Sequence, residues 1–378
     1  MPVYLDHNAS TPLDARVLEA MLPYLSGPYA NASSLHRYGR AARDGVEQAR
    51  AQLAALIGCQ PQEIIWTSGG TEANNLALKG VTELATPSRV LYGATEHPSV
   101  MEAAESLHAR GWGVEAIAVD AQGLLDWPRF EAQLQRAPLR LVSLMRANNE
   151  TGVIQDIERA AALVHAQQAW LHVDAVQTAG KLPLDFANLG ADLLSVSSHK
   201  IYGPKGVGAL VVNAQVELSP LLHGGAQERG LRGGTENVAA IVGFGAAAQL
   251  AGEALAGRSA RLLALRGQLE AGLRELPGVT IFAEHSARLP NTLQFALDGY
   301  DGEALLMQLD RKGFAVSSGS ACASGKGEPS HVLLAMGFAR ELAKGAIRVS
   351  LGKDNQPEEV SRFIEALRSF KPRAGAPP

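Results

Sequence analysis

Apolar positions at Val46, Ala49, Leu53, Leu56 and Ile57 recur at the three-to-four spacing of one helix face. A short apolar run over 63–67 then reads as a strand, and a second helix opens at Thr71. Further runs at 89–93, 114–119, 140–145, 170–174, 192–197 and 208–212 predict strands, with helical stretches between most of them. Nearly continuous apolar strands alternating with helices imply an α/β architecture whose mostly parallel sheet is covered on both faces. Beyond it the pattern changes. An Ala-rich helix near 236–251, a separate helix over about 254–276, strands at 280–282, 291–297, 314–316 and 347–351, and a helix at 302–312 are expected. A last amphipathic helix carries Val360, Phe363, Ile364, Leu367 and Phe370. The expected division is a large domain over 15–253 and a smaller α+β domain built from 1–14 and 254–378, with the Pro/Gly-rich end from 371 frayed.

Composition narrows the function classes. The chain has 378 residues, 46% hydrophobic and 19% charged, so a packed core is expected and disorder is not. A formal net charge of −4 gives no electrostatic reason for a nucleic-acid or membrane partner. The stretch 1–12 holds no apolar signal core, and the weakly polar run 238–248 is too short to span a bilayer and reads as a buried helix. Cys59 and Cys322 are the two cysteines, which excludes a disulfide scaffold and argues against structural zinc. A cytoplasmic enzyme is the expectation.

Ligands of an open parallel sheet sit beyond the carboxyl ends of its strands. Five loops place polar residues there: Thr71; His97; Asn148 and Asn149; Asp174 and Gln177; and Ser197, His199 and Lys200. Ser68-Gly69-Gly70-Thr71-Glu72 joins a strand to a helix, where small residues and the helix N-terminus favour an anion. It lacks the Gly-Lys-Ser/Thr ending of a nucleotide P-loop. Asp174 suits a protonated pyridine nitrogen, Lys200 a Schiff base, and Ser197, Ser198 and His199 are phosphate donors beside that lysine. Cys322 lies in a run of small polar residues over 317–327, expected to be a mobile loop, whereas Cys59 beside Gly58 reads as structural. Taken singly, each has a plainer reading: a capped turn, a solvated lysine, a capping aspartate, a buried thiol.

Together the segments resemble the cysteine desulfurases: Tyr4-Leu5-Asp6-His7-Asn8-Ala9, Thr67 to Glu72, Thr95-Glu96-His97, Asn148 to Gly152, His172 to Gln177, Ser198 to Gly206, and Ser317 to Cys322. The likeness runs from about residue 3 to 370 and is to the NifS/IscS-like group of class V aminotransferase-like enzymes. It implies a fold-type I pyridoxal 5'-phosphate homodimer with the cofactor on Lys200, Asp174 on the pyridine nitrogen and Gln177 on the phenolic oxygen. His97 would stack on the ring and shuttle protons, and Asn149 would contact ring and substrate. Gly70, Thr71, Ser197 and His199 would hold the phosphate, with Thr235 arriving from the other subunit. Arg348 would clamp the substrate carboxylate, helped by Asn31. Cys322 would take sulfur from L-cysteine as a persulfide, leave alanine, and pass the sulfur to an acceptor such as an iron–sulfur scaffold. Ala32, Arg146 and Gly233 depart from the commoner residues at their places, which bears on pocket detail. Selenocysteine lyase, another fold-type I aminotransferase and a catalytically silent binding partner are the alternatives.

Overall fold

The structure, a computed structural model, describes residues 2–27, 29–136, 138–318 and 328–370. After strand β1 (Val3–Tyr4), helices α1 (Ala15–Ser26) and α2 (Arg37–Ile57) lead into the alternating region. There β2 (Ile64–Thr67), α3 (Gly70–Glu83), β3 (Arg89–Gly93), α4 (Pro98–Glu105), β4 (Gly113–Ile117) and α5 (Trp127–Leu134) follow in turn. Next come β5 (Leu139–Met145), α6 (Ile157–His165), β6 (Trp170–Asp174), α7 (Phe186–Leu189), β7 (Leu193–Ser197) and β8 (Gly208–Val212). Their seven strands form one sheet in the order β2-β8-β7-β6-β5-β3-β4.

Only β8 opposes its neighbours in this sheet, so β2 runs the same way as β3 to β7. The carboxyl ends of β2, β3, β5, β6 and β7 therefore share one edge, as the sequence predicts. One apolar core, including Ile64, Leu91, Val142, Leu171 and Leu194, lies on one face beneath residues of α2, α5 and α6. Another, with Ile65, Val90, Leu141 and Leu193, packs under α3 and α4 on the other face. Burial on both sides is why these strands read as unbroken apolar runs. At the edge, Thr67 and Ser197 both pair with Gly208. A Cβ on Gly208 would stand 2.6 Å from the backbone of Gly69, so glycine there lets the β2–α3 turn lie against the sheet.

The helices expected at 236–251 and 254–276 are a single helix, α8 (Val238–Arg274), of 37 residues. Its first half buries Ile241, Phe244, Ala247, Ala248 and Ala251 in the large-sheet core, against α1 and α2. Its second half buries Leu262, Leu265, Leu269 and Leu273 in a different core. Residues 252–261 are not buried and include Gly252 and Gly257, which is why the pattern reads as a break. Packing at both ends outweighs the cost of those glycines, about 1 kcal/mol each. By length and composition α8 could cross a membrane, but half of its apolar window is buried inside the protein.

The chain continues through β9 (Val279–Ile281), β10 (Thr292–Leu297), α9 (Gly302–Arg311), β11 (Phe314–Ala315) and β12 (Ser317–Ser318). It ends through α10 (His331–Ala335), α11 (Arg340–Lys344), β13 (Ala346–Ser350) and α12 (Pro357–Arg368). An antiparallel sheet of order β12-β13-β10-β9 covers the second core, and β1 pairs in parallel with β11, which ties the first residues to the last third of the chain. The start of the expected loop is instead strand: Ser317 and Ser318 are buried and paired with Arg348 and Ile347. Strand pairing uses backbone groups, so small polar side chains gave no sign of it. Cys322 and residues 371–378 lie outside the described residues.

Candidate active site

A cavity of about 770 Å³ opens at the shared carboxyl edge of the large sheet. Gly70, Thr71, His97, Asn149, Asp174, Gln177, Ser197, His199, Lys200 and Arg348 all line it. The five loops thus converge, and the second sheet adds Arg348 from the middle of β13.

Asp174 closes β6 and is 7% exposed. Its Oδ1 accepts the Val176 N–H at 2.9 Å, and its Oδ2 accepts from Asn74 Nδ2 at 2.8 Å. The same Asn74 nitrogen donates to Ser99 Oγ at 2.9 Å, and Ser99 Oγ lies 2.8 Å from His97 Nδ1. His97 caps α4: its Nδ1 accepts the Ser99 N–H at 3.1 Å. Nδ1 is therefore an acceptor, and the proton of the neutral ring belongs on Nε2. Burial, opposed in part by the Asp174 charge and reinforced by Lys200, holds the imidazole below its ordinary pKa. His97 is a neutral base near pH 7.

Glu96 is fully buried behind this histidine and accepts the Met145 N–H. Burial and the nearby Asp174 charge push its carboxyl well above the usual range, so it is a neutral acid. The cavity end nearest α3 continues into a space of about 430 Å³ lined by Ser68 to Glu72, Ser197, His199 and Lys205. Gly69 supplies no side-chain cap to α3, so the first-turn amides have no side-chain competitor for an anion. His199 sits beside Ser10 Oγ at 3.2 Å, and burial with Lys200 and Lys205 lowers its pKa to about 4.

Lys200 Nζ donates to the carbonyls of Asn8 and Ala9. Asn8 also accepts from Gln177 Nε2 at 3.0 Å, and its side chain donates to the Asn149 carbonyl at 3.1 Å and to Thr292 Oγ1 at 2.8 Å. Its own N–H donates to Ser350 Oγ at 2.9 Å. This one residue joins the large-sheet edge to β10 and β13. Arg348 is 2% exposed; it donates to Asp6 at 2.7 Å and to the Asn149 carbonyl at 3.1 Å, while its buried Nε has no partner among the described residues. Both terminal nitrogens are thus engaged, so a carboxylate gripped by this buried fork would displace part of these contacts.

Asn31 and Thr235 are exposed and do not line this cavity in their own chain. Ser198 also departs from its expected place as a phosphate donor: it is buried, and its hydroxyl faces Gly203, where a Cβ would stand 2.0 Å away. Asn148 is structural, its Oδ1 accepting the N–H groups of Glu150 and Thr151, each at 2.9 Å. Sequence reasoning missed Asn8, Asn74, Ser99 and Lys181. Asn74, one turn into α3, and Ser99, the second residue of α4, gave no local signal, and the polar triplet 6–8 that holds Asn8 does not by itself point to this cavity. Cys59 is half-buried against the core, and its thiol is pushed up to about 12 by burial, which makes it inert.

The Aminotransferase class-V family profile matches residues 3–363. A protein from Anaeromyxobacter sp. (strain Fw109-5) named cysteine desulfurase IscS is 44% identical over 373 residues, covering 97% of this chain and 92% of its own length. A solved NifS-like protein superposes with a TM-score of 0.91 at 39% identity, over 97% of this chain and 98% of its own. Another, described as SspA in complex with cysteine, gives 0.82 at 33% identity over 92% and 98%. The chain belongs to the class-V aminotransferase family and, within it, to the cysteine desulfurases.

Proposed function

We propose that this protein is a pyridoxal-phosphate-dependent cysteine desulfurase that uses Cys322 to take sulfur from L-cysteine. One observation carries the reading: Asp174, Lys200, His97, the bare N-terminus of α3 and Arg348 all face one cavity.

The residues present fit the cofactor. The α3 amides with Thr71, Ser197 and His199 form an anion cradle, and Gly70 keeps it open, since a Cβ there would reach 3.0 Å from Val176. Asp174 would hold a pyridinium, Gln177 the phenolic oxygen, and Lys200 the carbonyl carbon. Bound there, pyridoxal phosphate supplies an electron sink for charge developing at the substrate Cα.

The protein's own groups do the rest. Arg348 receives the substrate carboxylate in place of part of its contact with Asp6 and Asn149, which fixes the direction of the Cα–H bond. Lys200, once released, is the amine that removes that proton. His97, neutral and with its proton on Nε2, can give that proton at the cavity wall and take it back in a later step. The Cys322 thiolate attacks the substrate sulfur: the C–S bond breaks, an S–S bond forms, and alanine leaves after Cα and Cβ are reprotonated. The described residues on either side of Cys322 support this reading. Ser318 ends a strand paired beside Arg348, and Glu328 and Pro329 line the cavity. Four residues from Ser318 reach up to about 14 Å.

A second copy of the chain completes the site. Leu22, Leu25, Tyr29 and Leu35 are exposed around Asn31, with Tyr29 98% and Leu35 89% exposed. A surface of that apolar character suits a homodimer whose partner brings Asn31 and Thr235 to this cavity. The sulfur acceptor is a protein such as an iron–sulfur scaffold, and the setting is the cytoplasm.

The test is sulfide and alanine released from L-cysteine under reductant, in the wild type and Cys322→Ser. Loss of both products with the yellow colour kept supports the reading. Equal activity in both removes Cys322 from the mechanism and favours a lyase, which a higher activity on selenocysteine would identify.

A further inference from the structure

Lys181 lies outside the catalytic set, yet it is a lysine buried to 7% exposure directly behind the cavity wall. Its Nζ donates to Gln177 Oε1 at 2.8 Å and to Asn8 Oδ1 at 3.1 Å. Gln177 Nε2 donates in turn to the Asn8 carbonyl at 3.0 Å, and Asn8 Oδ1 is also held by Asn291 Nδ2 at 3.1 Å. Gln177 lines the cavity; Lys181 does not.

A glutamine amide can turn over without changing its shape, and only the polarity of its neighbours decides which end points where. Here the neighbours are unequal. In the observed orientation Oε1 meets a donor and Nε2 meets a carbonyl. Turned over, Nε2 would face the Lys181 amine and Oε1 would face the Asn8 carbonyl, so two hydrogen bonds become two like-pole contacts in a buried place. The observed orientation leaves the second N–H of Nε2 for the cavity.

We propose that Lys181 is a positioning residue that locks the Gln177 amide, so that its donor end, not its acceptor end, serves the phenolic oxygen of the cofactor. This rests on the pyridoxal-phosphate reading above. Burial, with Lys200 and Arg348 nearby, holds the Lys181 pKa well below the ordinary lysine value. Even a neutral amine keeps two N–H groups, one for each acceptor, and the Asn8 carbonyl then still opposes the turned-over amide. His7 and His199 are the other titrating groups that feel the Lys181 charge.

The experiment is a pH titration of the visible cofactor band in the holoenzyme, for wild type, Lys181→Met, Gln177→Leu and the double variant, with circular dichroism to confirm folding. Lys181→Met and Gln177→Leu are each expected to move the midpoint in the same direction by roughly half to one pH unit, the size of one hydrogen bond. The double variant is expected to match Gln177→Leu, because Lys181 acts through that side chain. Lys181→Gln keeps a donor, is expected to hold the wild-type midpoint, and decides the matter if the methionine variant does not fold. An unmoved midpoint in Lys181→Met, a shift that adds to that of Gln177→Leu, or a Lys181→Gln midpoint equal to that of Gln177→Leu overturns the proposal. A wild type with no visible band overturns the cofactor reading instead.

Discussion

The two sheets serve the cavity in opposite ways. The large sheet delivers its chemistry from strand ends: Asp174 and Ser197 are the last paired residues of β6 and β7, and His97 follows β3, each where the chain leaves the sheet for a turn. The antiparallel sheet delivers Arg348 from the middle of a strand, paired across to Gln294 on one side and Ser317 on the other. A residue in a turn can be adjusted singly, whereas one inside a ladder moves only with its neighbours. On the proposed roles, the cofactor end is assembled from separate pieces, and the substrate end from one stiff piece anchored by Asn8 and Asp6.

That contrast can be broken in steps. Lys200→Ala should have the largest effect: alanine formation falls by at least about 10³-fold and the cofactor washes out on gel filtration. Arg348→Lys should raise KM for L-cysteine by about tenfold to a hundredfold while the visible band persists, because the ammonium cannot reproduce the fork. If kcat falls and KM does not move, Arg348 is structural and the two ends are not separable. Gly352→Ala attacks the stiff piece from behind. A Cβ there would lie 2.1 Å from the His7 ring, and thermal denaturation should show a loss of about 1–3 kcal/mol with cofactor affinity little changed.

The smallest effect appears as a slope. His172 lies fully buried beneath Asp174, between Ser143 and Ser195 hydroxyls at 2.8 and 2.9 Å, and burial lowers its pKa to about 4. Between pH 6.5 and about 4 the unfolded chain takes up a proton there and the folded chain does not, so stability falls as the pH falls through that window. Below it the penalty levels off. His172→Gln should flatten the dependence by about 1 kcal/mol per pH unit or less, read from denaturant unfolding at several pH values.

The large sheet was legible because topology repeats: each apolar run followed by a helix implies a carboxyl end, and the polar residues gather there. Asp174, Lys200 and His97 could be placed on one edge from spacing alone. Asn8 could not, because its partners come from residues 149, 177, 181, 291, 292 and 350, and no local pattern announces contacts so distant in the chain. The orientation of Ser198 was hidden too. It sits among phosphate-site residues, but the turn after β7 points it inward. The break expected in α8 failed for the reason that makes the helix unusual: its two halves answer to different cores, and the pattern between them resembles a linker.

That unbroken helix is also a strut. Thirty-seven residues span roughly 55 Å at 1.5 Å each, rooted at one end under the cofactor sheet and at the other under the sheet that carries Arg348. A hinge between the two cores would have to buckle it. The spacing between the amine at Lys200 and the guanidinium at Arg348 is therefore held as a fixed gauge, which on the proposed roles would suit one length of amino acid. Inserting a single residue near Gly257 would turn one end by about 100° against the other and spoil that gauge without touching either group.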